Sequence, residues 1–73
     1  MGYHFWVMDD EDGLWAECVE LKGCTALALD RSIETLKVEC HKALVEALSG
    51  VLERPTPTKL IGSNVIEIVL PEL

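Results

Sequence analysis

From residue 33 to residue 51, apolar side chains return every three or four positions, at Ile33, Leu36, Cys40, Ala43, Leu44, Ala47, Leu48 and Val51. On an α-helix that spacing gathers them into one stripe. The pattern predicts a helix over about 31–49, with Asp30 or Ser32 able to cap its N-terminus and Gly50 placed where a C-terminal cap belongs. No other stretch of the 73 residues carries this period. One helix therefore serves the whole chain, and one helix can cover only one face of a sheet. Whatever strands fold beneath it keep a second face that no helix reaches.

The strands announce themselves by composition and by alternation. Tyr3-His4-Phe5-Trp6-Val7-Met8 is short, aromatic and apolar, and it ends on a polar cluster, which reads as a strand over about 3–8. Asp9-Asp10-Glu11-Asp12-Gly13 makes the turn, Gly13 being free to take a positive φ. A second strand over about 14–20 closes a hairpin, with Leu14, Ala16 and Cys18 on one face and Trp15, Glu17 and Val19 on the other. Glu20 to Gly23 connect it to a third strand over about 24–29. Beyond the helix, Pro55-Thr56-Pro57 runs extended inside a linker over about 50–63. In a last strand over about 64–70, Ile66, Ile68 and Leu70 alternate with Val65, Glu67 and Val69. The expected fold is α+β: a single two-layer β-β-β-α-β domain spanning 1–73, one helix on one face of a mostly antiparallel sheet. Tyr3, Phe5, Val7, Leu14, Ala16, Cys18, Ile66, Ile68 and Leu70 are the expected helix-facing residues.

A chain this short buries only about 60% of its unfolded surface, yet 49% of its residues are hydrophobic. Either the sheet is unusually buried or a partner covers part of it. No apolar run approaches the roughly 20 residues of a membrane span, and the N-terminus lacks the basic region and cleavage site of a signal peptide. A soluble, cytoplasmic protein is expected. Three cysteines, an odd number with no Cys-x-x-Cys pair, read as reduced thiols and not as a disulfide framework. The net charge of −7 counts against direct nucleic-acid binding, because phosphates call for clustered Lys and Arg and the six basic residues are spread along the chain. A basic protein partner suits that charge; solubility alone is the plainer account of it.

The acidic run Asp9 to Asp12 invites a metal, but the spacing does not fit one. With Gly13 at the sixth position of a calcium loop, Met8 falls at the first and Val19 at the twelfth, where oxygen ligands are needed. A solvated hairpin turn is the better reading. Cys40 and His41, with Cys18, Cys24 and His4 elsewhere, suggest zinc or a thiol nucleophile, yet Cys18 and Cys24 are not spaced as zinc ligands are. Cys40 belongs to the apolar stripe, and His41 points roughly 100° away from it. A Cys-His catalytic pair stays open as a competing reading, since such partners meet only in the fold. No Gly-rich phosphate loop and no Gly-x-Ser-x-Gly elbow is present. No catalytic residue, metal or cofactor is expected.

The order of elements and the residues at their junctions resemble the HicB-like antitoxin family. The matching features are Asp12-Gly13 opening the second strand, Gly23-Cys24 opening the third, a helix starting near Asp30 to Glu34, and Pro55-Thr56-Pro57 after it, covering about residues 3–57. Family members usually carry a Pro-acidic-Leu-Pro-Gly-Cys run; here it reads Val19-Glu20-Leu21-Lys22-Gly23-Cys24, without either proline. A glycine common before the helix is replaced by Ala28. The resemblance implies a partial RNase H-like domain lacking catalytic carboxylates, which neutralises a small basic HicA-type ribonuclease toxin by covering it. Many relatives add a C-terminal DNA-binding segment, and the chain stops at Leu73, where that segment would begin.

The expectation is a non-enzymatic interaction protein with two kinds of partner, a second copy of itself and a basic HicA-like toxin. Trp6, Trp15, Val19, Val65 and Val69 are the residues left facing outward on the sheet, and they are the expected contact between copies. An orphan oligomer binding a small ligand, or a thiol enzyme using Cys40 and His41, are the alternatives.

Overall fold

A computed structural model describes residues 2–50, 62 and 64–70. Strands β1 (Gly2–Asp10), β2 (Gly13–Cys18) and β3 (Thr25–Ala28) precede helix α1 (Ile33–Ser49), and β4 (Val65–Val69) follows it. The strands form one antiparallel sheet in the order β3-β2-β1-β4, with the helix packed on one face. The α+β arrangement expected from the sequence is therefore found. The linker expected over 50–63 and the stripe residue Val51 lie almost wholly or wholly outside the described residues.

Antiparallel partners share a face, so the register fixes the two sides of the sheet. Tyr3 pairs with Ile68, Phe5 with Ile66 and Cys18, and Ala16 with Val7 and Ala26. These residues meet the helix, and Tyr3, Phe5, Ala16, Cys18, Ala26 and Ile68 are buried there. From the helix come Leu36, Cys40, Leu44 and Leu48, with Ala43 and Ala47 packed beside them. Burying each leucine contributes about 1.5–3 kcal/mol. Ile33 does not join the stripe: it is the first helical residue, a turn ahead of Leu36, and stays 42% exposed.

The helix lies chiefly over β3. There the sheet offers Cys24, Ala26 and Ala28, short side chains that let the helix backbone come close. The bulkier Tyr3 and Phe5 of β1 fill the space further along the sheet.

Local chemistry sets the ends of the elements. β1 runs on through Asp9 and Asp10, which pair with Leu14 and Gly13 and leave a two-residue turn at Glu11-Asp12. The sequence expectation ended this strand at residue 8 because aspartate disfavours strands; the hairpin ladder overrides that preference. Gly13 has φ +145°, and a Cβ there would stand 2.3 Å from the Ala28 carbonyl oxygen. Gly23 is required for conformation alone, with φ +84° in the turn closed by the Cys24 N–H on the Leu21 carbonyl. The helix begins at residue 33 and not 31. Ser32 is its cap, accepting from the Thr35 N–H at 3.4 Å. Asp30 holds the same turn from outside, accepting from the Ser32 N–H at 3.0 Å and the Thr35 hydroxyl at 2.8 Å. These bonds to its charged form hold the Asp30 carboxyl below the usual aspartate range. The left-handed residue before the helix is Arg31, at φ +58°, while Ala28 lies in β3. Gly50 ends the helix at φ −100°, without the left-handed turn that glycine makes possible.

Candidate functional site

The sheet face away from the helix is defined by the other half of the register. Met8 pairs with Trp15 and Trp15 with Leu27; Trp6 sits between Glu17 and Val65; His4 faces Glu67, and Gly2 faces Val69. An apolar band thus crosses the sheet from Leu27 through Trp15 to Met8 and Trp6. Trp6 is 45% exposed, Met8 38%, Leu27 41% and Val69 63%, while Trp15 and Val65 are half-buried. Of the five residues expected to face outward, Trp6, Trp15, Val65 and Val69 lie on this face. Val19 falls just past the end of β2, half-buried, and its N–H donates to the His4 carbonyl at 2.8 Å.

Met8 and Leu27 belong to the band although the sequence reading did not single them out. Met8 was legible, since it follows His4 and Trp6 at a step of two. Leu27 depended on the β2–β3 register, which no local pattern announces.

One corner of the open face is buried. His4 is only 5% exposed. The Glu20 carboxylate folds back onto it, accepting from the His4 backbone N–H at 2.9 Å with one oxygen and meeting Nδ1 at 2.8 Å with the other. Glu20 takes the place of a further strand residue, which is why β2 stops at Cys18 and not at residue 20. The same carboxylate accepts from the Cys18 thiol at 3.7 Å. On the other side of the ring, Nε2 lies 3.4 Å from a Glu67 oxygen. The Glu20 side chain is 1% exposed and that of Glu67 56%, so one carboxylate is structural and the other opens to solvent.

The acidic hairpin tip is solvated: Asp9, Asp10, Glu11 and Asp12 are all exposed. Arg31 crosses from the start of the helix to ion-pair with Asp9, and its second nitrogen donates to the Glu11 carbonyl at 3.0 Å. Among the described residues, no three His, Cys, Asp or Glu side chains converge as a metal ion would need.

Cys40 and His41 part company in the fold. Cys40 is fully buried under the helix, and burial pushes its thiol up to about 12. His41 is exposed, roughly 100° further round the helix. Cys18 and Cys24 meet just past the Glu17–Thr25 end of the β2–β3 ladder, the Cys18 N–H donating to the Cys24 carbonyl at 2.8 Å. Both are free and buried; burial raises the Cys18 thiol and pushes that of Cys24 up to about 11. Thiolate chemistry is suppressed at all three sites. No helix among the described residues is long and apolar enough to cross a membrane. No family model, curated protein or solved structure matches the chain.

Proposed function

We propose that this protein is a non-enzymatic interaction module whose uncovered sheet face docks a second copy of the chain, leaving the acidic hairpin tip for a basic protein partner. The observation that carries this reading is the apolar band of Trp6, Met8, Trp15 and Leu27 lying in the open on the face without a helix. Apolar patches of this kind are the usual mark of an interface. The open face also offers the same surface to its own copy, as a two-fold interface requires. Glu17 and Thr25 stand on the same face and supply the polar rim.

The finer reading is a HicB-type antitoxin directed at a small basic HicA-type ribonuclease, built on a partial RNase H-like order of elements. It is supported by the ordered junctions Asp12-Gly13 and Gly23-Cys24 and by the net charge of −7. The charge would speed encounter with a cationic partner at low salt.

Two measurements test the two levels separately. Light scattering at micromolar concentration should give a mass above that of one chain, and Trp6→Ser should lower it; a clean monomer with quencher-accessible Trp6 and Trp15 ends the dimer reading. Co-expression should relieve growth arrest by a HicA-type toxin. A chain that stays folded yet neither binds such a toxin nor relieves the arrest ends the antitoxin reading and leaves the coarser one standing.

A further inference from the structure

The layer that holds the helix contains a second binding feature, independent of the open face. β4 is an edge strand. The Val7 N–H donates to the Asn64 carbonyl at 2.6 Å, so the alternation of an antiparallel ladder makes Phe5–Ile66 and Tyr3–Ile68 the hydrogen-bonded pairs. The backbone groups of Glu67 and Val69 therefore point away from β1, and no described residue bonds to them. Because the helix stands over β3, a groove of about 440 Å³ is left between it and this edge. Val38 of the helix and Ile68 of β4 give it an apolar lining, Val69 stands at its rim, and Lys37, His41 and Lys42 line its helical wall.

That wall is unusual for this chain. Against 13 acidic residues there are six Lys and Arg, and two of the six stand here beside a histidine. Lys37 has no acidic partner among the described residues. Among the described residues, Lys42 is held only by Glu39 at 3.6 Å, an exposed pair that exchanges readily. Glu67, the one acid among the described residues of the groove, faces His4.

We infer that the groove between α1 and β4 binds an extended peptide segment in which glutamates alternate with apolar residues, added as a fifth strand to the β4 edge. Main-chain bonds to Glu67 and Val69 supply the pairing common to strand addition. Side chains on a strand alternate between faces, so one set enters the groove. There a glutamate lays its methylenes along Val38 and Ile68 and brings its carboxylate to Lys37 and Lys42. The other set emerges beside Val69 on the open face, where apolar side chains fit. The chain's net negative charge does not prevent this, because charges beyond about 8 Å are screened at physiological ionic strength. A second copy of β4 fits the groove poorly. It would send isoleucines toward the lysines, and in a symmetric pairing it sets two Glu67 carboxylates side by side, which is destabilising.

The probe is the capped hexapeptide Glu-Val-Glu-Val-Glu-Val, titrated into the full chain and followed by amide and imidazole NMR shifts. The expected changes fall on the Glu67 and Val69 amides and the His41 ring. Affinity should drop about tenfold in a Lys37→Glu, Lys42→Glu variant, a change at two exposed positions that leaves the circular dichroism unaltered. Replacing the peptide's glutamates by lysines should have at least the same effect. No binding at millimolar peptide overturns the assignment, as does equal affinity for the lysine peptide. Shifts centred on the Trp6 and Trp15 indoles would move the peptide to the open face. Concentration-dependent protection of the Glu67 and Val69 amides without peptide would give the edge to a second copy.

Discussion

The two faces of this sheet are built from the same strands and differ in how they exclude water. Under the helix, exclusion is done by shape: Leu36, Cys40, Leu44 and Leu48 fill the space above Tyr3, Phe5 and a floor of alanines and cysteines. On the other face there is no covering element among the described residues, and the apolar band from Leu27 to Trp6 stays accessible. The exception is the corner at His4, where burial is achieved by charge and hydrogen bonding through Glu20. Apolar residues thus do opposite things on the two sides. On one they close a core, and on the other they remain available, with a polar clamp doing the closing.

The sharpest break in this comparison would come from Glu20→Ala. It leaves the His4 N–H, Nδ1 and the Cys18 thiol without their acceptor inside a buried corner. A loss of about 3–5 kcal/mol is expected in urea unfolding; a loss under 1 kcal/mol would make the corner ornamental. Leu44→Ala, at the centre of the covered face, should cost about 2–5 kcal/mol by the same measurement. A smaller value would mean that the helix packs less tightly than its burial implies.

The thiols extend the contrast to alkaline pH. Each buried cysteine holds its proton longer in the folded chain than in the unfolded one, where loss occurs near the ordinary value of 9. Their stabilisation is complete below about pH 9 and is lost as pH rises toward about 11 for Cys24 and about 12 for Cys40. Urea midpoints should fall over that window, by at most about 1.4 kcal/mol per pH unit for each thiol, and Cys40→Ala should flatten the fall. A flat profile above pH 9 would place the thiols in contact with water. The smallest stability effect is expected on the open face: Trp6→Ser should change monomer stability by less than about 1 kcal/mol. A large loss there would mean that Trp6 already has a structural partner within one chain.

Much of this was readable in advance, for a physical reason. Alternation along β1, β2 and β4 and the leucine spacing of the helix are local periodicities, and they gave the element order and most of the core. What escaped detection depends on contacts between distant positions. Nothing marks Glu20 as different from the other acids until the hairpin register brings it onto His4. The reach of β1 into Asp9 and Asp10 likewise depends on the ladder and on Arg31, a residue from another element. The basic residues look scattered along the chain, and only the helix turn sets Lys37, His41 and Lys42 on one wall.

The strand order has a consequence in time. β1 to β2, β2 to β3 and β3 to the helix are all neighbours in sequence, so these contacts close short loops and form at little entropic cost. The pairing of β1 with β4 joins Gly2 to Val69, the longest closure in the described fold, and such contacts form slowly. A nascent chain can complete three strands and the helix while β1 still presents a bare edge from Tyr3 to Val7. Hydrogen exchange should keep a trace of that sequence of events: the Tyr3, Phe5 and Val7 amides, which face β4, should open ahead of the Trp6 and Met8 amides, which face β2.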